Sequence, residues 1–159
     1  MLPFLTLIAD IDEPIGEKTI FTKIPFGKII ATIQSKRFRE PQTFEFLIDS
    51  GTSFTTLLPY HVLSSEINCD YLPTASKPCF VANGQPIYPK LLYDVNISIN
   101  SYFQGKRGEE NFVLPFIHLM PPNTQQVLPR TLSLLGMDVL RNFSSWHWDY
   151  RTYQLFLNK

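Results

Sequence analysis

Cysteine and glycine are both scarce in this chain, and neither sign of charge prevails. Two cysteines, Cys69 and Cys79, cannot make a disulfide framework. They could pair in a secreted protein, but they read as free thiols in a reducing compartment, so a cytoplasmic location is expected. Fourteen Lys and Arg against fourteen Asp and Glu give a formal net charge of zero, so nothing points to nucleic acid or an anionic membrane as partner. The one basic cluster, Lys36-Arg37-Phe38-Arg39, is followed by Glu40 and Pro41 and reads as a solvated hairpin loop. No apolar run is long enough to span a membrane. The start, Met1-Leu2-Pro3-Phe4-Leu5, is apolar but lacks a basic region and reaches Asp10 and Asp12 too soon for a signal peptide. Without such a signal, the acceptor patterns Asn96-Ile97-Ser98 and Asn142-Phe143-Ser144 carry little weight for glycosylation. Repeats and low-complexity tracts are absent. Seven glycines against thirteen prolines argue for many loops and short strands rather than long helices.

What is present is a core-forming, β-rich composition. Apolar residues make up 44% of the chain and aromatics 14%, and 159 residues suit one domain with a proper core. Strands are expected at 4–9, 19–24, 28–34, 43–48, 54–58 and 111–119, with loops at 66–78, 104–110 and 120–130. Residues 91–99 alternate, placing Leu91, Tyr93, Val95, Ile97 and Ile99 on one face. Residues 79–88 read as a hairpin turning at Asn83-Gly84, a strong two-residue turn signal. Pro59 suits the first position of a short helix, on which His61 is expected to face solvent.

One stretch organises the rest: Phe46-Leu47-Ile48-Asp49-Ser50-Gly51-Thr52-Ser53. A buried strand runs up to a single carboxylate and breaks at once into turn composition, with Gly51 permitting a tight bend. A carboxylate at such a place needs hydrogen-bond donors, because desolvating it alone costs several kcal/mol, on the order of the penalty for any unpaired buried ion. The hydroxyls of Ser50 and Thr52 and the N–H groups of Gly51 and Thr52 are at hand. An Asx-turn that merely ends a strand is the plain alternative.

Two further stretches join it. Leu134-Leu135-Gly136-Met137-Asp138-Val139-Leu140-Arg141-Asn142-Phe143 follows far downstream, and then the tail Trp146-His147-Trp148-Asp149-Tyr150-Arg151-Thr152-Tyr153-Gln154-Leu155-Phe156-Leu157. Taken in order, these resemble the active-site loop, the Gly-containing strand with its short helix, and the closing hairpin of the retropepsin-like, single-domain aspartic proteases. The resemblance covers roughly residues 29–157. It implies an all-β fold, a closed or folded β-barrel-like acid-protease (retropepsin) domain with one short C-terminal helix, acting as a homodimer. A single such domain is expected over 1–159, with its core at 26–157. Residues 1–25 match nothing in the family's minimal pattern and read as an added N-terminal hairpin or a contribution to a dimer interface.

The resemblance also implies roles. Asp49 is the catalytic carboxylate. Ser50 bonds across the dimer axis, Gly51 lets substrate backbone approach, and Thr52 donates its hydroxyl to the carboxylate, favouring a more acidic working range than Ala would at that position. Leu134, Leu135 and Gly136 lie behind the loop and contribute to substrate binding. Asp138 caps the short helix. The hairpin at Asn83 and Gly84 is the flap that closes over peptide, although it is less glycine-rich than a typical flap and Pro86 stiffens it.

Peptide hydrolysis by such an enzyme needs two carboxylates sharing a site and a water between them. Two like charges about 3 Å apart cannot both ionise, so one serves as acid and the other as base, as is general for aspartic proteases. This sequence has one Asp-Ser-Gly-Thr, so the requirement points to a C2 homodimer giving one Asp49 per subunit. The expected function is aspartic endopeptidase on peptide or protein substrates, without cofactor or metal. Alternatives are a non-catalytic, protease-like dimer that binds peptides or serves as a structural module, and a small β-barrel interaction domain. A metal site from His61, Cys69, Cys79, His147 and Asp149 lacks ligand spacing. A Ser–His–Asp arrangement using Ser50 or Ser53 with His61 or His118 lacks a Gly-x-Ser-x-Gly elbow.

Overall fold

The structure, a computed structural model, describes residues 4–7, 28–80, 84–103, 106–122, 131–149, 151 and 154–158. Strict alternation builds the first hairpin. In Lys28–Gln34 (β2) the residues Ile29, Ala31 and Ile33 point inward, and in Gln42–Ile48 (β3) Phe44 and Phe46 do the same. The two strands pair antiparallel from Lys28↔Leu47 to Ile33↔Gln42. In the connecting turn Lys36, Arg37 and Arg39 are exposed while Phe38 folds into the core, so the basic cluster is a solvated loop as expected.

Past β3 the chain turns at 49–55 and re-enters the sheet as Thr56–Leu57 (β4), a shorter strand than the 54–58 expected. Pro59–Ser64 (α1) follows with Pro59 in its first turn. His61 departs from the expectation of an exposed side chain. It is buried, its ring sits against Phe44 and Tyr60, and Nδ1 lies 2.7 Å from Ser133 Oγ. Ser133 Oγ also accepts the Leu58 N–H at 3.0 Å, so its own proton is available to His61.

The stretch expected as a loop at 66–78 contains a 3₁₀ turn, Cys69–Tyr71. Cys79–Phe80 (β5) and Pro86–Ile87 (β6) then pair as a hairpin, but with Cys79 opposite Ile87 and Phe80 opposite Pro86. This register is one residue off the one that a two-residue turn at Asn83-Gly84 would set. Gly84 has φ +78°, and Asn83 lies outside the described residues. Lys90–Phe103 (β7) and Lys106–Leu119 (β8) form one long antiparallel hairpin. Residues 106–110 are thus strand rather than loop. Lys106, Arg107 and Glu109 are exposed on this arm, which a reading of composition takes for a loop. The alternation in β7 also breaks where none was foreseen. Leu92 and Val95 are both buried, whereas Tyr93 is half exposed. The cause is Asp94, whose backbone is left-handed at φ +53° opposite Pro115, which has no N–H to donate. The strand turns over there and changes the face it buries. β8 does likewise, burying Phe112 and Leu114 before Pro115 and Ile117 and Leu119 after it.

Ser133–Leu135 (β9) pairs parallel with β3 and antiparallel with β4, and β4 pairs parallel with β8. The order β7-β2-β3-β9-β4-β8, with β8 pairing back to β7, closes a six-stranded ring around the core. Met137–Leu140 (α2) is the short C-terminal helix, and Ser145–Asp149 (β10) with Gln154–Asn158 (β11) is the closing hairpin. Phe4–Leu7 (β1) is inserted between β11 and β7, so this N-terminal strand extends the sheet beyond the barrel. The strand expected at 19–24 lies outside the described residues. The architecture is the all-β closed barrel with a short C-terminal helix.

The two described histidines with shifted titration, His61 and His118, are both lowered by burial from their ordinary 6.5, with Glu45 and Asp138 respectively acting in the opposite sense. A lowered folded-state value means the unfolded chain binds more protons in the interval below 6.5. This contribution is therefore complete above 6.5 and is lost as pH falls through the folded-state value. Urea midpoints measured across this interval should fall more steeply with acidification in the wild type than in His61→Gln.

Candidate active site

Asp49 stands one residue beyond β3, where the parallel ladder with β9 continues through Asp49 N–H donating to Leu135 O at 3.0 Å. The chain then reverses, Thr52 N–H donating to Asp49 O at 3.3 Å. Both carboxylate oxygens are met by this turn. Gly51 N–H donates to Oδ1 at 2.8 Å, and the Thr52 hydroxyl donates to Oδ2 at 2.8 Å. A Cβ on residue 51 would lie 3.1 Å from Asp49 Oδ1, so glycine keeps the first of these bonds open. Ser50 and Gly51 are exposed and Asp49 is half-buried.

Behind this loop runs a brace that the sequence did not advertise. Gly136 N–H donates to Thr55 Oγ1 at 3.1 Å, and Met137 and Asp138 N–H donate to Thr52 O and Ser53 O at 2.8 and 3.1 Å. Asp138 is buried, and its carboxylate accepts the Thr55 N–H at 2.9 Å and the Thr55 hydroxyl at 2.7 Å. The expected helix-capping role of Asp138 is corrected in part. Gly136 occupies the cap position, and Asp138 takes one first-turn N–H, from Val139 at 2.9 Å, while its other bonds anchor the loop. Gly136 permits the approach: a Cβ there would lie 2.7 Å from the Phe54 carbonyl carbon and 2.9 Å from Thr52 O and Thr55 N.

An open cavity of about 970 Å³ lies in front of the loop. Its floor includes Asp49, Gly51 and Thr52, and one wall is the segment 75–80 that leads into and includes β5. The rest of the lining is largely apolar, with Phe54, Phe116, Met120 and Leu134 included. β5 thus borders the cavity, whereas Gly84 and β6 are not among the residues that line it. Of the three residues expected to support substrate binding, Leu134 lines the cavity. Leu135 does not, because strand alternation turns it into the core, where it is fully buried. Gly136 also does not, being buried behind the loop.

No family model and no curated protein matches the chain. Among solved structures it is similar to a retropepsin-like aspartic protease from Rickettsia conorii, at 17% identity and a TM-score of 0.49 over 99% of this chain and 95% of that one. The likeness is one of fold and assigns a role to no residue.

The rival constellations find other partners. Among the described residues no group of three or more His, Cys, Asp or Glu is arranged to hold a metal ion; the His147 side chain lies outside the described set. His61 is bonded to Ser133, and His118 Nδ1 lies 3.5 Å from Cys79 Sγ, so neither histidine is paired with Ser50 or Ser53. Three features escaped the sequence: the Thr55–Asp138 brace, the Cys79–His118 contact, and the aromatic group of Phe54, Phe116 and His118. Only Asp138 carried a signal, as a lone acid within an apolar run.

Asp138→Ala would strand two buried donors on Thr55 and one on Val139, costing about 3 kcal/mol or more. Thermal unfolding should show a melting temperature lowered by about 10 °C. Gly136→Ala should do at least as much harm, since the atoms its methyl meets are backbone and cannot step aside.

Proposed function

We propose that this chain is an aspartic-type endopeptidase, active as a homodimer in which each subunit contributes one Asp49. The observation that carries this reading is the setting of Asp49: a carboxylate at the end of a buried strand, oriented through both oxygens by its own turn, and facing a large apolar cavity. An Asx-turn that only ended a strand would need neither the cavity nor the brace behind it.

In the proposed dimer a twofold axis passes between the two exposed loops, and Ser50, which is solvent-facing in the single chain, bonds across it. Each Asp49 retains its Gly51 and Thr52 donors, and a water sits between the two inner oxygens. One carboxyl is protonated and donates to the peptide carbonyl oxygen. The other takes a proton from the water as its oxygen attacks the carbonyl carbon. The proton then passes to the leaving nitrogen as the C–N bond breaks. Apolar walls suit an extended, largely apolar peptide, and the β5–β6 hairpin closes over it to exclude water.

Sedimentation at micromolar concentration should give about twice the 18.4 kDa chain mass. A strict monomer that cleaves peptides would rule this mechanism out. Against a random peptide library, Asp49→Asn should lose hydrolysis by on the order of a thousandfold or more while keeping fold and dimer, because the amide preserves shape and loses proton transfer. Retention of cleavage by that variant would move the chemistry elsewhere. A wild-type dimer that binds peptides without cleaving them would make the chain a binding module.

A further inference from the structure

The hairpin bordering the cavity carries a thiol that hydrolysis does not use. Cys79 opens β5, and its Sγ lies 3.5 Å from Nδ1 of His118 on β8. Both residues line the same cavity as Asp49. The hairpin's base is fastened to the barrel by Ala75 N–H donating to Pro89 O at 2.8 Å and Leu91 N–H donating to Pro73 O at 2.9 Å, so the thiol is held against the ring. Cys69 is equally part-buried and its thiol is likewise raised by burial, but it packs against the hydrophobic core and does not line the cavity.

The position of His118 Nδ1, 3.5 Å from Sγ, suits it to accept the thiol proton. Its ring stacks on Phe116 and touches Phe54, with centroids 5.7 and 4.9 Å away. Burial lowers its proton affinity, so the imidazole is neutral near pH 7 and offers a lone pair. Burial raises the Cys79 thiol above its ordinary value, so the sulfur keeps its proton until a base removes it. Asp138 acts on His118 in the opposite sense to burial and favours the imidazolium formed once the proton moves.

We propose that Cys79 is a covalent modification site, at which His118 acts as base for exchange with small disulfides and the acquired group fills the cavity over Asp49. His118 Nδ1 takes the thiol proton, and the resulting thiolate attacks one sulfur of the small disulfide. A new S–S bond joins Cys79 to that half. The old S–S bond breaks, and the other half departs as a thiolate that recovers the proton from His118. No further oxidant is required. The adduct stands between the hairpin and β8, where peptide would lie. The exchange stands on the Cys79–His118 geometry alone, whereas its effect on cleavage rests on the function proposed above.

The test is to treat the full native chain with oxidised glutathione and follow the adduct at each cysteine by peptide mass mapping. Cys79 should react about tenfold faster than Cys69, a ranking that follows from its place on the cavity and an adjacent base and that should vanish in urea. His118→Gln, checked for folding by circular dichroism, should bring the Cys79 rate down towards that of Cys69. Equal rates in the native wild type, or a folded His118→Gln that reacts as fast as wild type, would overturn the site. In wild type the adduct should abolish peptide cleavage until a dithiol reductant restores it, and Cys79→Ser should be insensitive to the disulfide. Cleavage that persists with Cys79 fully modified would overturn the blocking role. If untreated protein cleaves nothing, the hydrolytic reading fails and the two exchange rates still decide the site.

Discussion

The barrel closes through its two weakest strands, and that constraint explains most of what surrounds Asp49. β9 and β4 are three and two residues long, yet among the described residues they are what joins β3 to β8 and completes the ring. So few ladder bonds cannot fix the geometry of a turn. The deficit is made up by side chains, with Asp138 gripping Thr55 through both carboxylate oxygens and Gly136 pressed against the backbone of 52–55. A buried carboxylate is stabilising only where donors surround it, and this one has three. The closure of the barrel and the placing of the catalytic candidate are therefore one structural problem with one solution.

The cavity has a related origin. β7 and β8 would continue as a flat two-stranded arm if their alternation held, and Leu91, Phe116 and His118 would then face elsewhere. The left-handed backbone at Asp94 opposite Pro115 turns the pair over. Beyond that corner, these three residues border the space in front of Asp49. One conformationally unusual residue thus turns these side chains towards the cavity that holds Asp49, and His118 towards Cys79.

Legibility followed sequence distance. The Asp49 turn was readable because its whole chemistry lies within four residues: a buried strand, a carboxylate, a glycine and a hydroxyl. The closing hairpin and α2 followed from the family resemblance of 134–143 and 146–157 rather than from local chemistry. What failed were features set by partners far along the chain. A short helix after Pro59 has an exposed side and would carry His61 there, but Ser133, 72 residues on, gives its buried ring a partner. Asp138 was read as a local cap because Thr55, 83 residues earlier, is invisible to a local pattern. Leu135 was grouped with Leu134, although period-two geometry sends adjacent strand residues to opposite faces.

A carboxylate offers about four lone-pair sites, and the Asp49 turn occupies one on each oxygen. That division has a chemical meaning within the proposed dimer. The turn holds the carboxylate still without exhausting it, leaving on each oxygen an acceptor direction for a water or for the proton of a facing carboxyl. Were the turn to satisfy every site, the group would be structural and inert. Were it to satisfy none, the group would rotate freely, and its acid–base partner would have to be found anew in each turnover. Pre-positioned donors and a low-polarity cavity act together here, since the attraction between a developing charge and a fixed donor grows as water is removed. In the proposed dimer a single copy of the loop would suffice, because symmetry would supply the second carboxyl already oriented by an identical turn.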